Sequence, residues 1–178
     1  MLRVLKYLLG ILVIAVIAVL GYAMTQPDDF RVERSTNIGA PPEKIIAIVS
    51  DFKRSGEWSP WEKLDPAMKR TYSGTPTGVG AIYEWDGNDD VGAGRQEILS
   101  VEPGLVQMKL DFIRPFEANN FADFQLEPDG ADTKVTWSIH GPNPLVSKVM
   151  NIFMNFDAMI GKDFDSGLAA LKALAEKP

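Results

Sequence analysis

The chain contains no cysteine and a single histidine, His140, in 178 residues. The first absence excludes disulfides, thiolate nucleophiles and Cys-ligated metals. The second leaves no material for a multi-His metal site and little for a Ser-His-Asp triad, so no metal is expected. Basic residues are also in deficit: 18 Lys and Arg face 24 Asp and Glu, and without Arg3 and Lys6 the remainder carries a net charge near −8. An acidic body repels phosphate backbones, which argues against a nucleic-acid partner. No Lys/Arg cluster marks a surface for anionic lipid. Phosphate loops and dinucleotide fingerprints are missing as well. Gly78-Val79-Gly80 and Gly92-Ala93-Gly94 lie between strand-like runs rather than at strand-to-helix turns, so they read as turns or bulges. No cofactor is expected.

What the sequence does hold is one long apolar run. Tyr7 to Met24 carries no charge over 18 residues. As a helix it is about 27 Å long, close to the ~30 Å hydrocarbon core of a bilayer. Arg3 and Lys6 precede it, and Asp28 and Asp29 follow it. Positive residues tend to stay on the cytoplasmic side. The expected topology is a single-pass anchor with a cytoplasmic N-terminus and an extracytoplasmic domain, periplasmic or at the cell surface. A cleaved signal peptide is the competing reading. Leu8 to Leu20 would be its apolar core, and Gly21-Tyr22-Ala23 has small residues at the spacing a cleavage site needs; the product would be an exported soluble protein. The expected division is residues 1–25 as anchor, 26–29 as linker and 30–178 as one domain. A domain of that size buries a core without disulfide or metal staples.

Inside the domain, Phe30, Val32 and Ile38 share one parity and suit a first strand. Ala40-Pro41-Pro42-Glu43 opens a short helix that runs to Ser50. Strand-like runs follow at 68–72, 81–85, 92–101, 106–112, 119–126 and 133–139. Asp86-Gly87-Asn88, Glu102-Pro103-Gly104 and Pro128-Asp129-Gly130 supply turns between them. Short turns between consecutive strands give an antiparallel meander. The chain closes with one long helix, roughly Pro144 to Glu176, whose apolar residues recur at three and four, with Gly161 as its point of bending. This is an α+β order. The sheet has one apolar face, and the last helix is the only element large enough to cover it. A strongly curved sheet gripping a helix encloses a gap suited to a ligand.

Several stretches carry a resemblance. They are Ser35 to Phe52 (STNIGAPPEKIIAIVSDF), Trp58-Ser59-Pro60-Trp61, Gly78-Val79-Gly80-Ala81 with Tyr83 and Trp85, and Thr133-Lys134-Val135-Thr136-Trp137. Asp163 to Leu168 with Leu171-Lys172 completes the set. In order and spacing they resemble the polyketide cyclase/dehydrase-like branch of the START/Bet v 1-like superfamily (SRPBCC proteins), over about residues 30 to 175. The resemblance implies the helix-grip fold, a curved antiparallel sheet wrapped on a long C-terminal helix, here with an added N-terminal transmembrane helix. It implies a fold and not a reaction, because the superfamily hosts cyclases, lipid carriers, hormone receptors and proteins with no known activity.

Tyr83, Trp85, Met108, Leu110, Phe112, Trp137 and Ile139 share the inward parity of their strands. With Phe153, Phe156 and Met159 of the final helix they are expected to line the cavity. Trp58 and Trp61 have two readings: they stack on a ligand at the cavity mouth, or they pack the short-helix region into the core. Arg95 and Glu97 share a strand face. Facing inward, Arg95 would hold a carboxylate, phosphate or enolate oxygen, with Tyr83 as a second catalytic candidate. Facing outward, Arg95 and Glu97 form an exposed ion pair worth about 0.2–1 kcal/mol. Asp111 and Arg114 are either acid/base groups at a cavity rim or turn chemistry. His140 ends the last strand with no partner evident in the sequence.

Three functions follow. The first is a membrane-anchored domain binding a small hydrophobic molecule or lipid in the cavity. The second is a cyclase/dehydrase-type enzyme using Arg95, or Asp111 with Arg114, beside Tyr83; such chemistry works largely by positioning and electrostatics. The third is a ligand-free interaction or stress-response domain with a filled core. No protein partner is identified.

Overall fold

The computed structural model describes residues 2–177. Helix α1, Leu2–Met24, meets the rest of the chain near its C-terminal end, and from Arg3 onward its side chains are otherwise exposed. Over Arg3–Met24 its mean hydropathy is 2.6, so by length and composition it is able to cross a membrane. Strand β1, Asp29–Ile38, begins five residues after Met24 and leads into α2, Pro42–Val49. Ile45, Ile48 and Val49 bury the inner face of α2. A 3-10 turn at Phe52–Arg54, the one-turn helix α3 at Ser55–Trp58 and a second 3-10 turn at Trp61–Lys63 cross to the sheet.

Six strands follow in sequence: β2 Lys69–Gly74, β3 Ala81–Asp86, β4 Ala93–Glu102, β5 Leu105–Arg114, β6 Ala118–Asp129 and β7 Asp132–Pro142. They pair antiparallel, and β1 closes the order as β1-β7-β6-β5-β4-β3-β2. The strand-like runs of the sequence therefore fall on the observed meander. The alternation along β5 puts Val106, Met108 and Leu110 inside, because successive side chains point to opposite faces. Register shifts at Ala93/Gly94 and Ile98/Ser100 interrupt the β4–β5 ladder, and such bulges bend a strand and increase its twist.

The final helix differs from expectation. It is two helices, α4 at Leu145–Phe153 and α5 at Phe156–Ala175. The break falls at Met154–Asn155 and not at Gly161, which α5 passes without interruption. Two asparagines account for it. The Asn155 side chain accepts from Ala158 N at 3.1 Å, and Asn151 Oδ1 accepts from Phe156 N at 2.9 Å, satisfying amides that a new helix start leaves open. Gly161 serves a different need. Arg34 shares the inward parity of β1 and forks onto Asp157 at 3.0 and 3.1 Å. Its guanidinium lies so close over α5 that a Cβ on Gly161 would stand 2.0 Å from Nη2.

Phe164, Leu168 and Leu171 of α5 are buried against the concave face of the sheet. The helix-grip architecture expected from the sequence is the one observed.

Candidate ligand cavity

The space between sheet and helices is not filled. A cavity of about 630 Å3 lies between the concave sheet face, the α3 region and the α4–α5 junction, within the range of small-molecule sites. Trp85 and Tyr83 line it from β3, Met108, Leu110 and Phe112 from β5, and Trp137 and Ile139 from β7. Phe156 and Ile160 close it from α5. Two of the residues expected there are elsewhere. Phe153 and Met159 point to the outside, 71% and 54% exposed, because the break at Met154–Asn155 turns α4 relative to α5 and takes them off the inward stripe.

Trp58 and Trp61 combine both readings. They line the cavity, but they are wedged edge-on against the Trp137 ring at 5.2 and 5.5 Å. Trp137 is itself stacked on Phe164 at 4.2 Å and on Phe124 at 5.0 Å. This cluster makes one end of the cavity a rigid aromatic wall, since such pairs add to their burial energy. The Trp85 indole donates to Val91 O at 3.0 Å. The buried Trp58 Nε1 has no acceptor among the described residues.

Arg95 is not in the cavity. Gln96 faces it, so its neighbour Arg95 lies on the outer face of β4, where Nη2 pairs with Glu97 at 2.7 Å. Strand parity alone dictates this. The carboxylate-binding role expected of an inward Arg95 is overturned. Asp111 and Arg114 do not meet either: Asp111 pairs with Lys109 at 2.9 Å, while Arg114 reaches Asp86 at 2.5 Å at the rim. His140 does have a partner: Nε2 lies 2.9 Å from Asp123 Oδ2 on the outer face, with the ring stacked on Phe121.

One charged cluster in the wall joins Tyr83 to two residues, Glu62 and Arg70, that carry no local signal in the sequence. The Tyr83 hydroxyl donates to Glu62 Oε1 at 2.5 Å, and Arg70 Nε donates to Glu62 Oε2 at 2.7 Å. Arg70 also donates to Met68 O at 2.7 Å. The Glu62 side chain is only 8% exposed, and both Glu62 and Tyr83 line the cavity. Burial, and then the hydrogen bond to Glu62, push the Tyr83 phenol far above its usual range. It stays a proton donor at all ordinary pH. Asn120 and Gln96 add amide groups to the lining. Glu62 lies in an aperiodic stretch that gives no orientation signal. Asn120 shares parity with Ala122, Phe124 and Leu126, which was the signal available for it.

A strongly curved antiparallel sheet closed by a C-terminal helix over an apolar cavity defines a helix-grip protein with a small-molecule pocket. The chain belongs to the family described as polyketide cyclase/dehydrase and lipid transport, whose model matches residues 29–176. Solved structures share the fold at low identity. The Aha1 dimer protein of Colwellia psychrerythraea is 19% identical, with a TM-score of 0.58 over 83% of this chain and 96% of that one. Major latex-like protein 151 of Panax ginseng is 16% identical, with a TM-score of 0.57 over 85% and 100%. The di-domain ARO/CYC protein StfQ of the steffimycin biosynthetic pathway is 8% identical, with a TM-score of 0.59 over 83% of this chain and 51% of that one. No curated protein matches the sequence.

Proposed function

We propose that this is a membrane-anchored domain that holds a small hydrophobic molecule or lipid in the helix-grip cavity. The observation that carries the reading is the cavity of about 630 Å3 with aromatic and aliphatic walls. An unfilled space of that size also counts against the ligand-free reading. The family description includes lipid transport. The ligand should be mostly apolar with one or two oxygen atoms. Trp58 Nε1 offers a free donor, and a buried donor without a partner costs about 1–3 kcal/mol that an acceptor on a ligand would recover. The apolar run of α1 from Tyr7 to Met24, with Arg3 and Lys6 in the turns before it, supports an uncleaved anchor with the domain outside the cytoplasm.

The test is native mass spectrometry of the full chain released from lipid nanodiscs. Wild type should carry an adduct of lipid mass. Ala122→Phe, which pushes a ring into the cavity from β6, should lose it while keeping the fold by circular dichroism. Empty wild-type protein would refute the reading. One observation favours a second, enzymatic reading: Glu62 and Tyr83 place a carboxylate and a protonated phenol together in the cavity wall. Acid/base work on a bound oxygen would use that pair. Turnover of a cyclisable poly-β-ketone that is abolished by Glu62→Gln would favour it.

A further inference from the structure

The cavity mouth and the end of α1 lie side by side. Pro142, Asn143, Pro144 and Ser147 border the cavity at the β7–α4 junction, and the linker after α1 is fastened to the same junction. Asn143 N donates to Asp28 O at 2.7 Å, and Asn143 Nδ2 donates to Pro27 O at 3.1 Å. Lys148 Nζ, on an otherwise buried side chain, donates to Asp28 Oδ1 at 2.6 Å. Ala23, near the end of α1, is fully buried where α1 meets α4. Five Cα steps from Met24 to Asp29 span at most about 18 Å even when fully extended. The mouth therefore stays within that distance of the point where α1 ends.

Large apolar side chains stand exposed beside this mouth. Val146 and Phe153 are 69% and 71% exposed and seven residues apart on α4, hence on one face. Met154 is exposed beside them, and Phe116 is 65% exposed on the β5–β6 loop, whose Pro115 and Glu117 border the cavity. The opposite pole, at the β6–β7 turn, carries Asp129, Gly130, Ala131 and Asp132 instead. Scattered exposed apolar residues need no explanation, but a group of large ones around a cavity mouth does. The charged residues at the mouth include Asp89, Asp90 and Glu117 against Arg114, which is itself paired with Asp86; this acidic excess disfavours an anionic surface as the partner.

We propose that the exposed face of α4, with Phe116, lies in the interface of the same bilayer that holds α1, so that the cavity opens onto lipid rather than onto water. This rests on the anchor reading of α1. An amphipathic helix of this kind sinks its apolar face about 5–10 Å into the headgroup–acyl boundary, and α1 holds the domain in place at no further entropic cost.

The natural absence of cysteine allows single labels on the full chain. Ile14→Cys, Val146→Cys and Ala131→Cys would each carry an environment-sensitive fluorophore. Each would be placed in phosphatidylcholine nanodiscs with and without brominated acyl chains. Bromolipid should quench the labels at 14 and 146 at least twofold and leave the label at 131 unchanged. Quenching at 14 with a label at 146 that behaves like 131 would overturn the proposal and leave the anchor intact. A label at 146 hidden from aqueous iodide yet unquenched by bromolipid would overturn it too, by showing that protein covers the face. A label at 14 without quenching would overturn the anchor reading itself, and the proposal with it.

Discussion

Replacing Glu62 by leucine keeps most of its volume but strands two donors, the Tyr83 hydroxyl at 2.5 Å and Arg70 Nε at 2.7 Å. Deleting one partner of a buried ion pair costs about 3–5 kcal/mol. The Arg70 side chain is 24% exposed and keeps its bond to Met68 O. Water therefore relieves part of the loss, and about 2–3 kcal/mol is expected. Tyr83→Phe removes only one donor and leaves Glu62 paired with Arg70. A hydrogen bond to a charged group is worth about 1.5–3 kcal/mol, and the lower end applies where the charge keeps another partner. In the double variant no hydroxyl is left unpaired. The double loss should therefore fall short of the sum by about 1–2 kcal/mol, inside the range of directly contacting pairs.

Thermal unfolding of the full chain in nanodiscs, followed by near-ultraviolet circular dichroism, reads these numbers. For a chain of this size each kcal/mol moves Tm by about 2–4 °C. Glu62→Leu should melt about 4–12 °C below wild type, and Tyr83→Phe roughly half as far below. Strict additivity of the two losses, or a Glu62→Leu variant as stable as wild type, would refute the cluster as a buried anchor of the cavity wall.

Tyr83 also contributes to the alkaline decline of stability, as does Tyr72 beside it, whose phenol burial likewise pushes up. The Tyr83 pKa is raised above the ordinary 10.0, so the stability it contributes is complete below pH 10 and declines as pH rises further. Tyr83→Phe should flatten that alkaline decline in urea unfolding measured between pH 9 and 11, and an unchanged slope would count against the assignment. Gly167→Ala should destabilise by about 1–2 kcal/mol in urea, because a Cβ there stands 2.7 Å from Trp137 Cζ3 and overpacking outweighs the helix-propensity gain. Gly161→Ala should be near neutral, since the Cβ meets only the outer end of Arg34; loss of its exposed pair offsets the same propensity gain. Lys148→Ala should release the linker and speed hydrogen exchange at Asn143 N, which donates to Asp28 O; equal exchange in both proteins would argue against the clamp.

The meander was legible because period two is a local property. Parity along β3, β5 and β7 assigned Tyr83, Trp85, Met108, Leu110, Phe112, Trp137 and Ile139 to the concave face without knowledge of the partner strands. The same rule held the answer for Arg95. Gly94, Gln96 and Ile98 share one parity, so Arg95 and Glu97 belong to the other face. Of the two orientations open to Arg95, that parity selects the outward ion pair with Glu97. The single long helix that the spacing predicts divides in two for another reason. Apolar spacing of three and four continues through 149–160, so periodicity runs across a break that two asparagine caps create. Phe153 and Met159 were carried inward with it.

Glu62 and Arg70 mark where local signals stop. Glu62 sits in a 3-10 turn and Arg70 in an edge strand, and neither position has a period that orients it. What makes them a pair is the crossing of the 52–63 segment over β2 and β3, a long-range arrangement that no window along the chain contains. The surface proposed to meet the bilayer has the same character. Phe153 reads as a cavity residue from the helical spacing and is at the surface because α4 separates from α5. Asp28 reads as a linker residue until Lys148 and Asn143 fix it beside the mouth. The apolar N-terminal run is plain in the sequence. What it is able to do for the cavity depends on three hydrogen bonds that join it to the β7–α4 junction, and those exist only in the folded chain.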